Sequence, residues 1–171
     1  MEEEGSKSKK KVMVAIDESE CSHDALEWAL RNLQESLVNS ELIVFTAQPI
    51  SDYSYLYASS VGNAPCSSYG GIPFAAPELI KNFQEQRQKF AEDLLAKAKE
   101  ICDKLGISAK TMTEVGEPKQ TICEAVEKHN VQLLVLGTHG KGVLERTFLG
   151  SVSNYCVHNA KCPVLVVRKT D

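Results

Sequence analysis

Apolar residues follow two rhythms in this chain: short unbroken runs, and longer stretches in which they recur every three or four positions. The run Lys-Val-Met-Val-Ala-Ile-Asp from Lys11 is continuously apolar and stops on the carboxylate of Asp17, the pattern of a strand covered on both faces. Leu42-Ile-Val-Phe-Thr-Ala47 and Val131-Gln-Leu-Leu-Val-Leu-Gly137 repeat it, and residues 163–167 give a last, shorter run. Residues 107–115 read as a more polar strand, which belongs at a sheet edge. Between the runs, Ala25, Leu26, Ala29, Leu30 and Leu33 mark one amphipathic helix, with Ser19 and Ser22 as capping candidates. Leu79, Ile80, Phe83, Phe90, Leu94, Leu95, Ala98, Ile101, Cys102 and Leu105 mark a long second helix, closed by Gly106. A short helix opens at Pro118 and carries Ile122, Ala125 and Val126, and a fourth covers about 151–160.

Five strands alternating with four helices specify an α/β fold: a five-stranded parallel sheet in the order 3-2-1-4-5 with helices on both faces, Rossmann-like. One domain over residues 11–168 suits a chain of 171 residues with 43% hydrophobic content. Residues 1–10 are charged and polar and form a disordered tail. Residues 49–77 follow neither rhythm and read as a long insertion loop. Its tyrosines Tyr53, Tyr55, Tyr57 and Tyr69 fit either a flexible lid or a variable surface insertion.

A formal charge of −4 and a pI near 5.6 disfavour a nucleic-acid partner or an acidic membrane face. No window approaches the roughly 20 apolar residues that span a bilayer, and the N-terminus has no signal-like apolar core. The expected location is the cytosol or nucleus. The six scattered cysteines then read as reduced thiols. Cys156, His158 and Cys162 do not make a convincing zinc set, because residues two apart on a helix point to different sides. No metal site is expected.

In a sheet of this order, ligands bind beyond the strand ends between strands 1 and 4. Asp17 stands at one of those ends and Gly137 at the other. The segment between strand 4 and its helix reads Gly137-Thr-His-Gly140-Lys-Gly-Val-Leu-Glu-Arg-Thr-Phe-Leu-Gly150-Ser151-Val-Ser. Gly137 and Gly140 admit close backbone approach, and Gly150-Ser151 opens a helix whose unpaired amides favour an anion. Ser151 and Ser153 add hydroxyls, while His139, Lys141 and Arg146 are further polar candidates. The same glycines also suit simple chain reversal and tight helix-on-strand packing, and Asp17 also suits a helix cap. Neither a P-loop nor a Gly-x-Gly-x-x-Gly fingerprint is present.

The spacing Gly137-x2-Gly140-x9-Gly150-Ser151 resembles the universal stress protein family, in its ATP-binding, plant-type single-domain subclass. That resemblance implies an adenosine pocket lined by Ala15, Ile16 and Asp17, with Asp17 at the ribose and Ala47 beside the base. It places Leu136 and Gly137 at the pocket floor and Gly140, Gly150, Ser151 and Val152 on the phosphates. The ligand it implies is ATP, or AMP or ADP, with Mg²⁺ carried by the phosphates. The partners it implies are this nucleotide and a second copy of the chain, joined through the strand at residues 163–167, whose uncovered edge asks for pairing. The function expected is a nucleotide-dependent dimeric switch in stress response or signalling. The alternatives are a slow ATP hydrolase in the same pocket, and a chaperone or scaffold in which nucleotide is structural. No catalytic residue is assigned.

Overall fold

The computed structural model describes residues 9–50, 77–138 and 149–168. Residues 1–8 of the expected tail, the Tyr-bearing part of the insertion, and His139, Gly140, Lys141 and Arg146 lie outside the described residues. In chain order the elements are β1 (Lys11–Ala15), α1 (Glu20–Asn32), α2 (Gln34–Val38), β2 (Glu41–Gln48), α3 (Pro77–Lys104), β3 (Ala109–Val115), α4 (Pro118–Lys128), β4 (Leu133–Gly137), α5 (Ser151–Asn159) and β5 (Val164–Val167). The strands form one sheet in the order β3-β2-β1-β4-β5, every pairing parallel. This is the expected order, with the polar strand at one edge and the last strand at the other.

Side chains alternate across the sheet and divide the core in two. Val12, Val14, Ile16, Leu42 and Val44 pack with Leu26 and Leu30 of α1, Leu37 of α2 and Leu95 and Ala98 of α3. Met13, Ala15, Ile43, Phe45, Leu134 and Leu136 pack with Ile122 and Val126 of α4 and Cys156 of α5. Met13 and Phe45 are wholly buried, each contributing about 1.5–3 kcal/mol of hydrophobic stabilisation.

Helix ends follow from single residues. Ser19 caps α1 by accepting the Ser22 amide on its hydroxyl at 3.2 Å. Pro118 occupies the first turn of α4, where no amide donor is needed. At the end of α3, Gly106 takes φ +71°, its amide donates to Asp103 O and the Ile107 amide donates to Cys102 O, both at 3.0 Å. Those two bonds make a Schellman closure, for which a left-handed residue is required.

The helix count corrects the sequence reading. The described residues hold five helices, because the chain re-enters a single helical turn and a half at α2 immediately after α1. Leu33 ends one helix and starts the next, and its carbonyl accepts the Leu37 amide at 2.9 Å. Only Leu37 of α2 is buried, too little to register as periodicity.

Candidate nucleotide-binding cleft

At the carboxyl ends of the strands the two helical layers part around a cleft of about 650 Å³. That volume is in the range of small-molecule sites, and the position is the switch point between β1 and β4. The end of β1 contributes Ala15, Ile16 and Asp17, the end of β2 contributes Thr46, Ala47 and Gln48, and the end of β4 contributes Leu136 and Gly137. Gly150, Ser151, Val152 and Ser153 enter from the start of α5. Ten of the residues singled out in the sequence thus share one concavity.

The carboxylate of Asp17 is held in place from its own side of the cleft. Its Oδ1 accepts the Ser19 amide at 2.9 Å and also the Ser19 hydroxyl. Its amide donates to Ser22 Oγ at 3.1 Å, and Ser22 Oγ lies 2.8 Å from Asp17 O. The capping residue of α1 is therefore Ser19, and Asp17 braces that cap while lining the cleft.

Across the cleft, Thr138 and Gly150 close the two ends of the glycine-rich segment. The Gly150 amide donates to Thr138 O at 2.6 Å, and Thr138 N donates to Val167 O at 3.1 Å. Ser153 departs from its expected role. Its hydroxyl sits 2.8 Å from Thr138 O and 3.0 Å from Gly150 O, and the side chain is buried. Its single proton goes to main-chain carbonyls, so it fastens the start of α5 to the end of β4 and has none to give an anion. The Asn154 amide closes the first helical turn onto Gly150 O at 2.9 Å. The amides of Ser151, Val152 and Ser153 precede that bond and have no acceptor within the helix. They form the positive end of α5 and adjoin the cleft.

The sequence reading missed a wall of the cleft. Phe83, Arg87, Phe90 and Leu94 of α3 line it, together with Gln86 and Ala91. Phe83 and Phe90 belong to the apolar positions that mark this helix in the sequence, yet Phe90 is 49% exposed. Arg87 Nη1 donates to Pro49 O at 2.8 Å, and the buried Gln48 donates to Gln88 Oε1 at 2.9 Å and Thr113 Oγ1 at 3.0 Å. The bonds of Arg87 and Gln88 fix α3 against the end of β2, and the bond to Thr113 ties β2 to β3. The usable signal was the spacing 83, 87, 90 and 94, one helical stripe combining aromatic rings with a cation in an otherwise polar stretch.

Among the described residues, no group of three His, Cys, Asp or Glu side chains is placed to hold a metal ion. Cys156 is buried, whereas His158 is exposed with Nδ1 2.8 Å from Asn154 O. No helix among the described residues is long and apolar enough to cross a membrane.

The model of the universal stress protein family matches residues 9–168. The chain belongs to the universal stress protein family. Universal stress protein Sll1388 of Synechocystis is 31% identical over 159 residues, covering 92% of this chain and 97% of that protein. Among solved structures, universal stress protein UspA from Lactobacillus plantarum superposes with a TM-score of 0.71 at 21% identity, over 94% of this chain and 99% of that one. A universal stress protein family member from Arabidopsis thaliana with AMP bound gives 0.62 at 22% identity, over 94% and 92% of the two chains. A universal stress protein in complex with cAMP gives 0.61 at 22% identity, over 95% and 99%.

Proposed function

We propose that this universal stress protein binds an adenine nucleotide in the cleft between β1 and β4, with ATP as its ligand, and acts in stress response or signalling as a nucleotide-dependent switch. The observation that carries the reading is the meeting, in one concavity, of the first-turn amides of α5 with the braced carboxylate of Asp17. Amides at a helix start suit phosphoryl oxygens, and a carboxylate suits ribose hydroxyls. The AMP and cAMP held by the two structural relatives are the same ligand class. On this reading Ser151 and Val152 face the phosphates, with Gly140 completing their cradle and Mg²⁺ carried by the phosphates. Ala15, Ile16, Leu136 and Gly137 flank the nucleoside, Asp17 takes the ribose, and Ala47 lies beside the base. Lys141, Arg146 and His139 supply further polar contacts from the same glycine-rich segment.

The switch operates in a homodimer paired through β5, whose outer edge carries the half-buried Val164, Leu165 and Val166. A cytosolic or nuclear setting fits this role. Isothermal titration of the purified chain with ATP and AMP tests the ligand: saturable heat at one site per chain is expected, and its absence for both nucleotides refutes the proposal. Sedimentation tests the dimer, since a mass that stays monomeric at every concentration is incompatible with pairing through β5.

A further inference from the structure

Three of the cysteines converge on the face of the sheet covered by α4 and α5. Cys123 of α4 and Cys156 of α5 stand 33 positions apart in sequence with their sulfurs 3.8 Å apart. Cys162, just before β5, packs against the same apolar cluster. Cys156 is wholly buried, while Cys123 keeps partial exposure and can meet a small oxidant. The two helices also share the nucleotide cleft, α4 through Pro118 and Ile122 and α5 through its first turn.

We infer that Cys123 and Cys156 are a dithiol that closes to a disulfide under a peroxide and, in closing, weakens nucleotide binding; the second half rests on the function proposed above. Closure requires the sulfurs to move from 3.8 Å to about 2.05 Å, and the part of that approach that rotation of the two side chains does not supply draws α4 and α5 together. A displacement on the order of 1 Å in the first turn of α5 is enough to spoil the aim of amides at a phosphate.

The chemistry balances with peroxide as the two-electron oxidant. The Cys123 thiolate attacks one peroxide oxygen, the O–O bond breaks, hydroxide leaves, and Cys123 becomes a sulfenic acid. The Cys156 sulfur then attacks the Cys123 sulfur, an S–S bond forms, the S–O bond breaks, and the departing hydroxide leaves as water with the Cys156 proton. Burial raises both thiols above their ordinary range, which makes the reaction slow and reserves it for sustained oxidant exposure.

The test uses the full chain, reduced, then held in hydrogen peroxide, alkylated after unfolding and digested for mass spectrometry. The expected result is a peptide containing Cys123 joined to one containing Cys156, lighter than their sum by two hydrogens, with two thiols lost to alkylation. Cys162→Ser should leave this link intact, and Cys123→Ser should abolish it without changing ATP affinity in the reduced state. A Cys123–Cys162 link, a link between chains, Cys123 stopping at sulfinic acid, or full recovery of thiols would each overturn the pairing. ATP titration of the oxidised protein should give an affinity several-fold weaker than the reduced protein gives. Equal affinities overturn the coupling alone. Failure of the reduced protein to bind any nucleotide removes the coupling together with the proposed function, and leaves the disulfide to stand on the peptide map.

Discussion

A β-carbon added to Gly137 would stand 2.6 Å from the carbonyl oxygen of Cys21 and 2.7 Å from its carbonyl carbon. Both are backbone atoms at the start of α1 and cannot rotate away. The end of β4 and the first turn of α1 are therefore in contact without any side chain between them, and both border the cleft. Gly137→Ala must push β4 and α1 apart. A loss of about 1–3 kcal/mol is expected in urea unfolding, as for other overpacked sites, together with weaker ATP binding. A variant as stable as the parent would mean that this contact is loose.

Asp17 can be separated from the cap it braces. Ser19→Ala removes the acceptor of the Ser22 amide and a donor to Asp17, and should lower stability by about 1 kcal/mol. Asp17→Asn keeps an oxygen for the Ser19 amide at much the same place and removes the negative charge. Its stability should stay within about 0.5 kcal/mol of the parent while ATP affinity falls. Thermal melts and titration on both variants distinguish the roles. If Asp17→Asn were the less stable of the two and bound ATP normally, the carboxylate would be structural only.

Gly106 offers the opposite case to Gly137, since an added β-carbon would meet no atom within 4 Å. The penalty of Gly106→Ala then comes from the left-handed backbone alone, at φ +71°. About 1 kcal/mol is expected, a drop of roughly 2–4 °C in Tm for a chain of this size. Nucleotide affinity should be unchanged, because the turn lies away from the cleft-lining residues.

The sheet order was legible because four strands are nearly continuous apolar runs, the polar β3 belongs at an edge, and each crossover carries an amphipathic helix, leaving few topologies. Gly106 as a helix terminator was legible for the same local reason. The role of Phe83 and Phe90 was not. Periodicity reports which residues share a helix face, but not whether that face meets a sheet or a cleft, and α3 extends past the sheet so that one stripe does both. In the sequence Gly137 suits either use, ligand approach or tight packing, and its packing use shows only with α1 in place over β4. Ser153 failed differently: a hydroxyl in a polar, glycine-rich setting looks like a ligand donor until the nearby carbonyls of Thr138 and Gly150 claim its proton. Backbone acceptors are invisible in a sequence, so the polar residues of a site are easier to list than to assign.

Alkaline instability should trace in part to the buried thiols. Cys102 lies in α3 against the sheet, wholly buried, and burial foremost, with the adjacent Asp103 carboxylate, pushes its thiol up to about 11 from 9.0. The unfolded chain releases this proton near 9.0, whereas the native chain holds it until about 11. Between those values the native state binds more protons, so stability falls as pH rises. The stabilisation is fully present below about pH 9 and is lost by the time the pH has passed 11. Cys123, Cys156 and Cys162 are displaced in the same direction by burial and steepen the fall. Urea midpoints measured from pH 8 to 11 should decline for the parent and decline less for Cys102→Ala, whose starting stability is lower because of the cavity. Parallel pH profiles for the two proteins would show that the Cys102 thiol ionises alike in both states.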